Sequence, residues 1–347
     1  MNRSLVFAYP GELSLKTGGY GYDRKVIDGL RSLGWQVQLM SLGDGFPAPS
    51  PGTLQRATEA LSGLPDGTRV LIDGLAFGVL DAWAAAHASR LRIIALVHHP
   101  LALETGLSRE EQDQLRRSER QALKEARHVI VTSPMTAREL IAGYGVVPSN
   151  ITVALPGTEK AGTATGTNPI PRILSVGTLS RRKGHDVLLS ALKSVEDLDW
   201  HAAIIGSKTL DPVTAATLSR QVETLELQGR VDLLGEVDDP SGTYASSDIF
   251  ALASRYEGYG MVFAEALSYG LPIVACHAGA VPDVVPDDAG ILVPVDDVSA
   301  FGTALRRLLT DRDERQARAD ASCRAGAALP DWAETAQIIS NALDGVA

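Results

Sequence analysis

Cysteine is scarce in this sequence: the two present, Cys276 and Cys323, stand far apart with no ligand spacing between them. A disulfide framework and a cysteine-based zinc site are therefore excluded, and a reducing compartment is expected. Long hydrophobic runs are missing too. No stretch approaches the ~18 apolar residues of a membrane span. The opening MNRSLVFAYPGE has an apolar run of only five residues before Pro10, too short for a signal peptide. A cytoplasmic protein is the expectation. Basic residues are outnumbered, 32 Lys and Arg against 42 Asp and Glu, giving a net charge of -10. That argues against nucleic acid as the main partner, because phosphate binding needs a concentrated basic face.

What the chain does have is alternation. With 347 residues, it is long enough for two domains of roughly 150 each. SLVFAY (4–9), WQVQLM (35–40), RVLID (69–73), RIIALV (92–97) and HVIVT (128–132) read as strands. A helix is expected from Tyr20 to Leu33, closed by Gly34, with further helical patterns near 53–62, 79–88, 109–126 and 134–143. The pattern restarts at ITVAL (151–155), followed by a Gly-, Thr- and Pro-rich linker over 156–171. RILSVG (172–177), HAAIIG (201–206), RVDLLG (230–235), DIFALA (248–253) and LPIVA (271–275) follow, with helices to about 195 and near 213–228. Strand-helix alternation predicts an α/β fold with parallel sheets. The expected division is 1–160, 161–330, and a terminal helix in 331–347 that packs back across the domains. Ligands of such sheets sit beyond the carboxyl ends of the strands, so the cleft between two domains is the default site.

The densest chemistry lies in SRYEGYGMVFAEALSYGLPIVA (254–275). Gly258 and Gly260 permit a tight turn, and a helix from about Met261 opens with unpaired N–H groups, an anion site. Glu265, one turn in, leans back toward that space, and Glu257 approaches it from the turn. A phosphate alone would be repelled by two carboxylates. A nucleotide sugar, with hydroxyls at both ends and a diphosphate between, suits them. The plain alternative, a solvent-facing Glu265 and a loop charge at Glu257, stays open on spacing alone.

Glu257 and Glu265, inside YEGYGMVFAEALSYGLPIVA and continuing into AGAVPDVVPDDAGILVPVDD (278–297), resemble the signature of glycosyltransferase family 4. The resemblance covers essentially the whole chain and is strongest over 172–297. It implies two facing Rossmann-like domains, the GT-B fold, with the active site in the interdomain cleft. The acceptor would bind mainly the first domain and the nucleotide sugar the second. It also implies that Glu265 holds the ribose, that Glu257 lies near the donor sugar, and that amides at Gly260, Met261 and Val262 bind the diphosphate.

In VGTLSRRKGHDVLL (176–189), Arg182 and Lys183 are expected as two fixed cations at the leaving group. Many family members carry Arg directly after the strand-end glycine, where this chain has Thr178; Arg182 is expected to take that work, with Arg181 as the substitute. In LVHHPLALETG (96–106), the family places a histidine near the reacting carbon; His98 matches better than His99, and Glu104 is an acceptor candidate. The Gly18–Gly19 loop lacks a dinucleotide fingerprint, and the resemblance brings Gly19 to the donor phosphates. Backbone at Glu236 and Val237 is expected to meet the base.

Asp197-Leu198-Asp199 has a D-x-D spacing, but it precedes a strand and reads as surface charge. The resemblance thus implies a retaining hexosyltransferase with a UDP- or GDP-linked donor, no metal and no cofactor. Its acceptor would be a sugar, lipid or small molecule, the last step front-face and assisted by the leaving phosphate. Contact with a membrane surface is left open. A sugar-nucleotide-binding protein or an epimerase on the same plan is the alternative reading. A phosphorylase would need a pyridoxal phosphate lysine environment that the sequence does not display.

Overall fold

Short apolar runs bounded by Gly, Pro and polar turns become strands buried on both faces. In the computed structural model, described over residues 3–104, 106–159, 162–164, 166 and 168–346, they form two all-parallel six-stranded sheets. The chain divides into one unit made of Met1–Gly157 with Pro330–Ala347 and a second made of Thr158–Leu329. Four residues of the expected linker, including those at the expected 160/161 boundary, lie outside the described residues.

In the first unit, β1 (Ser4–Tyr9), β2 (Gln36–Ser41), β3 (Arg69–Asp73), β4 (Arg92–Val97), β5 (His128–Val131) and β6 (Ile151–Val153) are ordered β2-β1-β3-β4-β5-β6. Order reverses between β1 and β3, so that is the switch point where a ligand crevice opens at the carboxyl ends. Ile151–Val153 pairs with β5 and completes this first sheet; it does not start the second. Val70, Leu71 and Ile72 are fully buried, as expected for a strand with helices on both faces. The first helix, Gly18–Ser32, starts two residues earlier than its periodicity predicts because Thr17 caps it. It buries Tyr22, Asp23, Val26, Ile27 and Leu30, so an aspartate sits inside its apolar stripe.

The C-terminal helix, Trp332–Gly345, returns to this unit. Trp35 donates its indole N–H to Ser340 at 2.9 Å, and Thr335 donates to the Leu155 carbonyl at 2.7 Å. Arg3 pairs with Asp344 at 2.7 Å.

In the second unit, β7 (Arg172–Val176), β8 (His201–Ile205), β9 (Val231–Gly235), β10 (Ile249–Leu252), β11 (Ile273–Cys276) and β12 (Gly290–Val293) are ordered β12-β11-β10-β7-β8-β9. Here the reversal falls between β7 and β10. Two helices outside the expected pattern, Val298–Thr310 and Arg312–Ala328, complete the unit, and the first buries Phe301, Ala304, Leu305 and Leu308 as one apolar stripe. Asp197 is held by Arg306 at 2.6 Å on the surface, in keeping with its reading as surface charge. Among the described residues, no helix is long and apolar enough to cross a membrane.

One contact sets the spacing of the β7 and β8 ends. A Cβ on Gly206 would sit 1.8 Å from the Gly177 carbonyl oxygen, so only glycine permits this approach. Gly206→Ala is predicted to cost about 1–3 kcal/mol through overpacking and to lower the thermal midpoint. Gly229→Ala, where an added Cβ meets nothing within 4 Å, should leave it unchanged. Equal midpoints for the two variants would refute the close-approach account.

Candidate active site

At the β7/β10 switch point, the loop after each strand contributes to one buried ion group. Glu257, after β10, is 4% exposed. Its Oε1 accepts from Lys183 Nζ at 2.6 Å and from Ser254 Oγ at 2.6 Å. Its Oε2 faces Arg182 Nη1 at 3.4 Å, and the same guanidinium donates to the Tyr256 carbonyl at 3.0 Å. Burial alone would push this carboxyl up; the charges of Lys183 and Arg182, with the bonds from Lys183 and Ser254, outweigh it and hold Glu257 below the usual range.

In this geometry Glu257 is engaged by Lys183, Ser254 and Arg182, and both cations are oriented on it. A buried carboxylate without a counter-charge is too costly, so all three are joined. Arg182, and not the exposed Arg181, reaches the glutamate. Glycine at 177 makes room for Lys183: an added Cβ would lie 3.2 Å from the lysine Cδ. His185, behind the loop, hydrogen-bonds the Gly177 carbonyl through Nε2 at 3.2 Å, and burial pushes it down to about 4. It is a neutral structural residue.

Gly260 has φ +92° and begins the Met261–Ser268 helix without a side-chain cap. Its first amides, at Met261 and Val262, are thus left for an anion, a term worth about 0.3–1 kcal/mol before direct hydrogen bonds. Gly258 stands in the turn that precedes it. Glu265, one turn in, is half-buried and accepts from the Tyr244 hydroxyl at 2.8 Å. Burial raises Glu265; the Tyr244 bond opposes that and Glu159 adds to it. Tyr244 is itself fixed by stacking on Tyr269, with centroids 5.0 Å apart. Glu265 is therefore a held side chain, not a solvent-facing one. Glu236 and Val237 follow β9, the edge strand two places from β7, at the carboxyl end of the sheet.

The first unit has its own polar cluster at the β1/β3 switch point. His98, at the end of β4, places Nε2 3.2 Å from Asp23 Oδ1 and 3.5 Å from Asp73 Oδ2. Burial opposes its charge, but hydrogen bonds to both aspartates outweigh that and push His98 up to about 10. His99 turns away to Glu104, 3.0 Å distant. Gly19 lies beside His98, where an added Cβ would be 3.6 Å from Nε2.

A profile of the group 1 glycosyl transferases matches residues 166–324, and one of glycosyltransferase family 4 matches residues 24–160. The chain belongs to this family. D-inositol 3-phosphate glycosyltransferase of Corynebacterium kroppenstedtii is 28% identical over 286 residues, covering 75% of this chain and 62% of the relative. The enzyme of the same name from Corynebacterium diphtheriae is 30% identical over 254 residues, covering 64% and 59%. The chain thus spans about three fifths of the length of these curated relatives. Among solved structures, sucrose-phosphate synthase from Thermosynechococcus elongatus superposes with a TM-score of 0.81 at 20% identity, covering 97% of both chains. Anabaena HepE in complex with UDP-glucose gives 0.78 at 19% identity, covering 98% and 99%. The fold of this chain is therefore GT-B.

Four residues of these groups were not singled out from sequence: Asp23, Asp73, Tyr244 and Ser254. Two carried a signal. Asp73 ends an apolar strand, and Asp23 breaks the apolar stripe of its helix. Tyr244 and Ser254 reach their glutamates only through tertiary contact.

Removing one partner of a buried pair leaves the other charge uncompensated, a cost of about 3–5 kcal/mol. Lys183→Ala should therefore lower the thermal midpoint clearly, and Lys183→Ala with Glu257→Gln should lower it less than Lys183→Ala alone. Additive losses would contradict the pairing. Because the folded carboxyl is held low, its contribution is present above its ordinary pKa and lost as pH falls through the folded value. The difference in midpoint between wild type and Glu257→Gln should accordingly shrink below about pH 4.

Proposed function

We propose that this glycosyltransferase moves a hexose, with retention of configuration and without a divalent metal, from a UDP-linked donor to a small hydroxyl-bearing acceptor. The observation that carries this reading is the Glu257–Lys183–Arg182 group beside an uncapped helix N-terminus at the β7/β10 switch point. The diphosphate would lie on the amides of Met261 and Val262, with Lys183 and Arg182 supplying positive charge. Glu265, held by Tyr244 through one oxygen, would take the ribose hydroxyls with the other. Uridine is favoured because HepE, a relative in fold, was solved with UDP-glucose. The curated relatives' names make a phosphorylated polyol one acceptor class to test, alongside sugars and lipids.

In the reaction, the bond from the anomeric carbon to the β-phosphate oxygen breaks while the acceptor oxygen bonds on the same face. The acceptor proton passes to the leaving phosphate. Charge grows on that phosphate, so the hydrogen bonds of Lys183 and Arg182 strengthen toward the transition state. Charged hydrogen bonds of this kind contribute about 1.5–3 kcal/mol each. Two fixed cations and a helix terminus do the electrostatic work that a divalent ion does elsewhere.

A thermal-shift series with UDP, GDP, ADP and their sugar conjugates tests the reading. A ligand at 100 times its dissociation constant stabilises by about 2.7 kcal/mol, so UDP should raise the midpoint and Glu265→Ala should abolish the rise. Turnover with a matched acceptor should survive a metal chelator unchanged. A shift with no nucleotide, in folded protein, would sink the donor assignment and favour a degenerate site; turnover that dies with chelator and returns with magnesium or manganese would sink the metal-free mechanism.

A further inference from the structure

The cluster around His98 is more elaborate than holding a side chain in place requires. Both carboxylates converge on the same ring nitrogen, Asp23 Oδ1 at 3.2 Å and Asp73 Oδ2 at 3.5 Å. Asp73 is fixed from behind, and Asp23 is enclosed. Asp73 accepts the Leu75 N–H at 2.8 Å through its other oxygen, and Asp23, fully buried on its helix, has an Oδ2 with no partner. The ring is held as well: Tyr22 meets it edge-on with centroids 5.4 Å apart, and Thr132 and Thr136 each donate to the His98 carbonyl at 3.3 Å. Nδ1, by contrast, has no hydrogen-bond partner among the described residues.

Other titratable groups reinforce this bias. The Tyr20 hydroxyl is pushed up to about 12 by burial and by Asp73, Asp23 and Asp44, so it stays neutral. Tyr22 is raised further still by burial and Asp23. His99 is paired with Glu104. Two carboxylates thus face one imidazole, and Asp23, pushed up to about 6 by burial and Asp73 against the bond from His98, is charged at pH 8.

We infer that Asp23 and Asp73 are positioning residues that clamp the Nε2–H of His98 and leave its Nδ1–H as a fixed, charged hydrogen-bond donor to an oxygen of a substrate bound at the first unit. This rests on the transferase reading above, and it gives His98 a definite part in it: a donor that stays protonated, not a base that accepts the acceptor's proton. That division agrees with routing the acceptor proton to the leaving phosphate. The rival chemistry for the same three side chains is a metal site, since their ligand atoms lie within 4.8 Å of one another. A metal would need the lone pair of Nε2, which the clamp keeps protonated.

The isosteric variants Asp23→Asn and Asp73→Asn test the inference, with imidazole nitrogen shifts followed by NMR against pH in the full chain. In wild type, His98 should remain doubly protonated through pH 8. In either variant its titration should fall by at least one pH unit, toward the ordinary histidine range near ~6.5. With a UDP-sugar, kcat should drop at least tenfold at pH 8, with KM changed less, and recover toward wild type at pH 6, where the ring is protonated again. A purely structural role would lower kcat equally at both pH values, which overturns the inference. So would a wild-type His98 that is neutral at pH 7.5, or a zinc- or manganese-induced shift of Nε2 accompanied by increased turnover. The ring titration needs no substrate, so it reads the clamp by itself; lack of any UDP-induced thermal shift in wild type overturns the transferase reading and, with it, the donor role.

Discussion

A buried carboxylate obliges its surroundings to supply positive charge, and Glu257 imposes that condition on the second unit. Its backbone is pinned as firmly as its side chain. Ala280 donates to the Glu257 carbonyl at 2.9 Å, and Gly279, at φ +55°, comes so near that an added Cβ would lie 2.2 Å from that oxygen. On the opposite side, Arg255 N–H donates to the Arg182 carbonyl at 2.8 Å, and Gly184 lies against the Ala253 carbonyl, where an added Cβ would be 1.9 Å away. The loops after β7, β10 and β11 are therefore locked around one acid. A site assembled this way is preorganised, because its cations are already oriented before any diphosphate arrives.

The two units solve opposite electrostatic problems with the same topology. At the β7/β10 switch point, two cations surround one carboxylate, leaving positive charge for an anion. At the β1/β3 switch point, two carboxylates surround one imidazole, leaving negative charge that keeps the ring protonated. In each case, strand ends deliver the groups, and helices packed on the sheet exclude water from behind. Low local dielectric strengthens both sets of contacts and raises the cost of losing any member.

Much of the fold was legible in sequence. Parallel strands buried on both faces leave continuous apolar runs, and these located eleven of the twelve strands. Gly290–Val293 was noticed only as part of a family-like stretch, because a four-residue run among Pro, Asp and Gly carries little periodicity. The Arg312–Ala328 helix was missed because its face is mostly polar. For the candidate site, the glycine turn and the Glu257/Glu265 spacing drew attention to the loop after β10, and the family resemblance singled out His98. What spacing could not tell was which charges pair. Lys183 and Glu257 are 74 residues apart, and Tyr244 and Glu265 are 21 apart, so both contacts depend on sheet order, which a one-dimensional pattern does not encode.

The central claim is that the β7/β10 switch point holds a nucleoside diphosphate, and amide-resolved NMR titration of isotope-labelled protein with UDP tests it most directly. The account predicts saturable shifts concentrated at Gly177–Gly184 and Gly258–Glu265, with the largest at the Met261 and Val262 amides. Saturable shifts confined to other parts of the molecule, or none at these residues at saturating UDP, would contradict it.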